Sequence, residues 1–324
     1  MSAAFSAGAI KDQPPHTPLD AQAAAFYALF IDLAYEMFAN NPRTKQPTAP
    51  PKLRDLGYDL TAWIVMSDFA VFGETIKKFY GFIATEIDDP YSHIIALRGT
   101  KGWWEWYDDA FVYPRRFDPV PSAGRVHYGF YRIYHTMRVY RAPHPHEPHA
   151  LPTPIAPGGT FAEQVEQLVP LIAHPEGGEP PAETGRDHHF VVTGHSLGAA
   201  LCTLYVMHHA IRKKQAREGA RERRVVIERV CTFGSPRVGM RVFTDQYRAL
   251  PIDSWRLANA YDLVSKVPPR FPFPYLHVED SYLFTSEGVV VPGFKPSCWH
   301  AMRTYEHWLD PRVPLNQRCS ATGA

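Results

Sequence analysis

Cysteine is scarce in this 324-residue chain: Cys202, Cys231, Cys298 and Cys319 are too few and too scattered for a disulfide-built scaffold. No Cys-x-x-Cys pair points to zinc or redox chemistry, and the expectation is four thiols. Long hydrophobic runs are missing too. The nearest approach to the roughly 18 apolar residues of a membrane span, Ala23 to Ala39, carries Asp32 and Glu36 inside it, so no transmembrane segment is expected. The N-terminus has no basic region ahead of an unbroken apolar stretch, since Ser6 and Gly8 interrupt it before Lys11 and Asp12. It does not read as a secretory signal, and a cytoplasmic location is expected. Charge of one sign is lacking as well. Thirty-four basic residues against thirty-three acidic ones leave a net charge of +1 and no broad basic footprint, which excludes nucleic acid as a partner.

What is present suits a globular enzyme-sized domain. Hydrophobic residues make up 45% and charged residues 21%, ruling out wholesale disorder. Proline is abundant, and ten of its 31 occurrences fall between Pro143 and Pro181. They define an elaborated surface connection over 141–187, inside which Thr160 and Glu163 form a capping-box pattern ahead of a short helix, with Pro170 as a kink or stop. The expected organisation is an N-terminal helix (Ala21 to Phe38) and Pro-rich arm over 1–55, packing on a main domain over 56–324. Strands are expected at Tyr80 to Ile87, His93 to Leu97, His189 to Thr193, Arg229 to Phe233 and Trp255 to Ala258. Helices are expected at Tyr128 to Tyr140, Leu197 to Arg217 and Val238 to Leu250. Such interleaving argues for an α/β fold, a mostly parallel central sheet with helices on both faces, whose chemistry sits at the carboxyl ends of the strands.

The most informative stretch is His189-Phe-Val-Val-Thr-Gly-His-Ser-Leu-Gly198. A Gly-x-Ser-x-Gly pattern is weak alone, but here a β-branched run leads into it and a helical run leads out, the strand-turn-helix of a nucleophile elbow. Gly194 and Gly198 would let strand and helix approach closely, leaving Ser196 at a helix N-terminus that favours a developing oxyanion. A serine nucleophile needs a histidine base and a carboxylate to orient it, in the order Ser, acid, His for this fold class. Downstream lie His208, His209, His277, His300 and His307, the first two on the helix leaving the elbow and facing away. Asp262, where a strand opens into a Pro-rich loop, is the best placed acid.

Taken together, these pieces resemble the class 3, or fungal-type, lipases of the α/β-hydrolase fold, over about Tyr80 to Trp308. The resemblance rests on Leu97-Arg-Gly-Thr100, Val126-His-Tyr-Gly-Phe130, the elbow, Thr232-Phe-Gly-Ser-Pro-Arg-Val-Gly239, Arg256-x-x-Asn259-x-x-Asp262, and Trp299-His300 through Tyr305. It implies Ser196 as nucleophile, Asp262 as orienting acid and His300 as base, with an oxyanion hole of the Leu197 and Thr100 backbone N–H groups. His277, in Tyr275-Leu-His-Val, matches a block that is not catalytic, and His307 falls after the motif. The chain departs from the family pattern at Ala199, and at Ser265-Lys266, which interrupt an Asp-x-Val-Pro-x-x-Pro run.

Six aromatics fall between Trp103 and Tyr113, where the family places its lid. Trp103, Trp104, Trp106 and Tyr107 are therefore expected either as an aromatic lid over an acyl groove or as core. Carboxylic-ester hydrolysis is implied, with a lipid or other apolar ester as substrate, met at a lipid–water interface, and a triacylglycerol lipase as the leading reading. A short-chain or feruloyl-type esterase, a phospholipase A1, an acyltransferase, and a non-catalytic hydrolase-fold binding protein are the alternatives. No cofactor is implied, and no metal: His144, His146 and His149 alternate with prolines in a loop rather than standing at ligand spacing.

Overall fold

The computed structural model describes residues 18–67, 77–100, 113–143, 153–173, 186–215 and 225–321. The first element is α1 (Ala21–Asn40), whose entry is capped by the Asp20 carboxylate accepting from the Gln22 and Ala23 N–H groups. A single turn, α2 (Lys52–Asp55), leads into an antiparallel meander of β1 (Tyr58–Ser67), β2 (Lys77–Glu86) and β3 (Ser92–Leu97). A short ribbon of β4 (Pro114–Arg116) and β5 (Arg125–His127) precedes α3 (Tyr128–Thr136). Then follow β6 (Arg138–Arg141), β7 (Thr153–Pro154), α4 (Phe161–Ala173), β8 (His188–His195), α5 (Leu197–Gln215), β9 (Val225–Phe233), α6 (Arg241–Arg248) and β10 (Asp253–Asn259). The chain closes with β11 (Ser281–Phe284), α7 (Pro296–Trp299) and α8 (Met302–Leu309).

Nine of these strands form one sheet in the order β11-β10-β9-β8-β3-β2-β1-β6-β7. The half from β3 to β11 is parallel, while β2, β1, β6 and β7 extend it antiparallel. Pleating sends alternate side chains to opposite faces. Ile95 and Leu97 of β3 pack with α3, α4 and α5, whereas Ile94 and Ala96 pack with Phe30, Leu33, Ala34 and Met37 of α1. Helix α8 shares the α1 face, burying Met302 and Tyr305 against Phe233, Trp255 and Leu257. Thus helices cover both faces, and the parallel half delivers all its strand ends to one edge.

Local physics set several boundaries away from expectation. The expected helix over Tyr128 to Tyr140 stops at Thr136, because Arg138 to Arg141 pair with β1 and the Gln164 side chain takes the Val139 N–H at 2.7 Å. The expected helix over Val238 to Leu250 starts only at Arg241, since Gly239 bridges Val126 and Leu276 instead. The capping box is formed, with Glu163 Oε2 accepting from the Thr160 N–H at 2.8 Å; Pro170 lies inside α4, which ends three residues later. Strands β1 and β11 were not anticipated; the apolar run Trp63-Ile-Val-Met66 is the signal for the first. The expectation of four thiols is corrected: Cys298 and Cys319 are disulfide-bonded, and only Cys202 and Cys231 are free and buried. A spacing of 21 residues carries no pairing signal; the tertiary approach of the C-terminal tail creates it. No helix among the described residues is long and apolar enough to cross a membrane.

The interior holds an unusual load of histidine. His93 and His188 hydrogen-bond at 2.8 Å between Nε2 and Nδ1, and His208 Nδ1 meets the Tyr134 hydroxyl at 2.9 Å. Burial pushes His93 and His208 down to about 3, and His127 and His188 to about 4. In the unfolded chain the same rings protonate near the ordinary value of about 6.5, so the unfolded state gains protons first as pH falls. Stability is therefore expected to be full above pH 6.5 and to decline towards pH 4, by on the order of 1–2 kcal/mol per such histidine at pH 5. Urea unfolding at pH 7.5, 6 and 5 measures this, and a midpoint that does not move over that range would refute it.

Candidate active site

The elbow is built as the glycine spacing requires. Ser196, between β8 and α5, has φ 57, a left-handed conformation costly for a residue with a side chain and found where structure over-determines it. It is held there by its N–H donating to the Phe233 carbonyl at 3.0 Å. A methyl on Gly194 would come within 2.7 Å of the Gly198 backbone, and one on Gly198 would strike the Leu97 carbonyl. The oxyanion segment is pressed against the serine in the same way: a methyl on Gly99 would lie 2.8 Å from the Ser196 Cβ and 2.6 Å from the Tyr35 hydroxyl. Leu197 opens α5, and Thr100 follows Gly99 in the chain. Arg98, buried between the Phe38 and Tyr80 rings, donates to the Phe79 and Gly99 carbonyls and fixes the segment from beneath.

Asp262 stands in the turn after β10 with 0% exposure. Its Oδ2 accepts from His300 Nδ1 at 2.7 Å and from the Tyr305 hydroxyl at 2.5 Å, and its Oδ1 from the Val264 N–H at 2.8 Å. A carboxylate wholly out of water needs such donors, and charge-assisted bonds are the strong ones. Burial and the neighbouring carboxylate push Tyr305 well above the usual phenol range, so it stays a donor. Gly234, at φ 56, makes room, since a methyl there would lie 2.9 Å from Asp262 Oδ2 and 3.0 Å from the His300 ring. Thus Ser196 hangs from Phe233, and the next residue touches both Asp262 and His300.

A second histidine was missed in the sequence. His195 stacks on His300 with centroids 4.5 Å apart and donates from Nε2 to the His300 carbonyl at 2.9 Å. Because a carbonyl only accepts, Nδ1 must carry the lone pair, and the Tyr35 hydroxyl donates to it at 2.8 Å while accepting the Gly99 N–H at 2.8 Å. Burial, then the adjacent His300, hold His195 well below the ordinary imidazole range, keeping it neutral. Helix α1 is thereby wired to the oxyanion segment and to the base; position before the serine was the only signal for His195, and Tyr35 had none. Asn259 adds another tie, donating to the Trp299 carbonyl and Ser286 Oγ, both at 2.9 Å.

The structure thus gathers Ser196, Leu197, Asp262 and His300 at the carboxyl edge of the parallel half, with Thr100 beside them. His208 and His209 lie buried on α5, and His307 turns to the Val313 carbonyl. Trp103, Trp104, Trp106 and Tyr107 lie outside the described residues, as do His144, His146 and His149. Among the described residues no group of three His, Cys, Asp or Glu side chains could hold a metal ion.

A model of the family described as Lipase (class 3) matches residues 94–271, more than half of the chain. The chain belongs to the class 3 lipase family. Among curated relatives of this lipase-family chain, Phospholipase A1-Igamma2, chloroplastic, of Arabidopsis thaliana is 29% identical over 143 residues, 38% of this chain and 26% of that protein. Lipase ZK262.3 of Caenorhabditis elegans is 35% identical over 86 residues, 26% of this chain and 21% of that one. The chain therefore spans about a quarter or less of the curated relatives it matches. Among solved structures, the Rhizomucor miehei lipase propeptide complex superposes with a TM-score of 0.52 at 20% identity, covering 83% of this chain and 70% of that one. An MDLA mutant from Penicillium cyclopium gives 0.52 at 18%, covering 84% and 82%. At these identities the likeness is one of fold, the α/β-hydrolase fold.

In this member of the family the disulfide sits two residues before His300, and the tail it tethers pairs with the 289–291 loop through Val291 N–H to Cys319 and Ala321 N–H to Val289. Closing a 21-residue loop stabilises mainly by restricting the unfolded chain. Cys319→Ser is expected to cost about 2–4 kcal/mol, read by denaturant unfolding with and without a dithiol; wild type unaffected by the dithiol would contradict it.

Proposed function

We propose that this class 3 lipase hydrolyses carboxylic esters of apolar acyl chains through an acyl-enzyme, with triacylglycerol as the leading substrate class. The observation that carries the reading is the buried Asp262–His300 pair placed beside a serine strained into an elbow. Asp262 accepts a hydrogen bond from the His300 Nδ1–H, which leaves the lone pair on Nε2 and so makes that nitrogen the base. Ser196 Oγ attacks the ester carbonyl as His300 takes its proton. The tetrahedral oxyanion is held by the Leu197 and Thr100 N–H groups; the alcohol departs with the proton from His300, and water, activated by the same imidazole, releases the acid.

A lipid surface as the place of reaction is supported by where aromatic rings meet solvent. Tyr261, Phe271 (85% exposed) and Phe294 (72%) stand on the segments that follow the carboxyl ends of β10 and β11, and exposed Tyr113 packs on Phe273, two residues from Phe271. Tyr261 and Phe294 both pack on Trp299, next to the base, at 5.6 and 5.5 Å. Apolar exposure gathered around a site entrance is unusual unless something apolar meets it. The names of the Arabidopsis relatives favour a second reading, a phospholipase A1 using the same machinery on phospholipid esters.

The test is hydrolysis of p-nitrophenyl butyrate, octanoate and palmitate, and of emulsified triacylglycerol and phosphatidylcholine, by wild type and Ser196→Ala. Serine-dependent cleavage rising towards long emulsified esters is expected, with Ser196→Ala lower by several powers of ten in kcat. Retention of most activity by Ser196→Ala would overturn the assignment, and the absence of serine-dependent activity on every ester would favour a binding protein. Replacing Phe271 and Phe294 by serine is expected to reduce turnover of emulsions at least several-fold while leaving soluble butyrate untouched; equal losses on both would discount the interface.

A further inference from the structure

Two features of the sequence are left over by this chemistry: His277, in a block without a catalytic role, and the Ser265-Lys266 pair that departs from the family pattern. The fold brings them together on the loop that carries the acid. Residues Val264–Lys266 form a single 3₁₀ turn directly after Asp262. The first N–H of that turn, Val264, is the donor to Asp262 Oδ1, so the turn's geometry sets one side of the carboxylate. Ser265 Oγ donates to the Asp262 carbonyl at 2.8 Å, closing the turn on the acid's own backbone. The Ser265 carbonyl, which a three-residue turn has no means of satisfying, accepts from His277 Nε2 at 2.8 Å. The following carbonyls are taken by Arg237, which donates from Nη1 to Lys266 and Pro268 and from its backbone to Val267.

We propose that His277 and Ser265 act as a positioning pair for Asp262, His277 clamping the 3₁₀ turn through the Ser265 carbonyl so that the carboxylate keeps its aim at His300. This rests on the reading of Ser196, Asp262 and His300 as a catalytic set. An imidazole suits the task because it is a rigid donor that need not be charged. Burial, with the Arg256, Arg237 and Arg270 guanidiniums around it, holds His277 well below the ordinary range, so it keeps one N–H and adds no fourth cation to the cluster. Loosening the clamp moves Asp262 by a fraction of an ångström. That weakens its support for the imidazolium of His300 without touching the substrate, and a displacement of that order is costly in rate.

The experiment compares His277→Ala, His277→Gln, Ser265→Ala and the Ser265→Ala/His277→Ala double variant with wild type. For His277→Ala, kcat is expected to fall about 10-fold with KM within twofold. The acid-side inflection of kcat/KM should move to lower pH, because a carboxylate turned away from an imidazole favours the protonated ring less. His277→Gln, whose amide can donate in place of Nε2, should recover most of both. The double variant should lose little more than His277→Ala alone, since both act on one turn. An unchanged inflection in His277→Ala, whether kcat holds or falls only with the folded fraction, overturns the proposal. The His300 ring is also titrated by NMR in wild type and His277→Ala. If wild type proves inactive on esters, the hydrolase reading fails by itself, while a downward shift of the His300 titration still supports the positioning role and no shift refutes it.

Discussion

A carboxylate buried to 0% exposure is the constraint around which this molecule is arranged. A carboxylate so placed needs its oxygens filled with donors, and at Asp262 three arrive from three directions: the His300 ring, the Tyr305 hydroxyl of α8 and the Val264 N–H of its own turn. Each has structural consequences. The tyrosine fixes the register of α8 on the sheet, and the turn demands that tertiary side chains take its carbonyls. The small residue at 234 is required because a methyl group would occupy the space where acid and imidazole meet.

The serine side of the site is governed by close packing rather than charge. Gly194, Gly198 and Gly99 each lie where a Cβ would collide with backbone or with Ser196, so strand β8, helix α5 and the end of β3 approach as nearly as peptide planes allow. The strained serine is therefore held by contact from all sides. Tyr35 and His195 then couple the two halves, joining the oxyanion segment to the base through α1. An N-terminal helix that on composition alone would be a simple cover becomes part of how the site is held.

Much of the architecture was legible in the sequence because its signals are local. The run His189 to Thr193 followed by Gly194-His-Ser-Leu-Gly198 specifies strand, sharp turn and helix within a few residues, and the Thr160/Glu163 cap forms as its spacing implies. Local signals lose where tertiary pairing competes with them. Arg138 to Tyr140 continues a helical periodicity yet becomes strand, because the open edge of β1 offers ladder hydrogen bonds that outweigh propensity. Gly239 is likewise drawn out of the expected helix, by backbone bridges to Val126 and Leu276. The Cys298–Cys319 bridge was not readable at all, since it depends on a tail folding back over the loop before α7.

From the amino-acid sequence alone come the α/β class, the elbow, and a short set of residues able to act as nucleophile, acid and base, because these rest on backbone turn chemistry and on the few side chains capable of each role. Only the tertiary structure decided how those groups are supported: that His195 and Tyr35 brace the base, that Tyr305 completes the acid, that His277 reaches Ser265, and that exposed aromatic rings gather at the carboxyl edge. Those relations join residues up to 160 positions apart. They exist only because a parallel sheet carries its strand ends to one edge, where loops distant in the chain must share the same small volume and satisfy one another's polar groups.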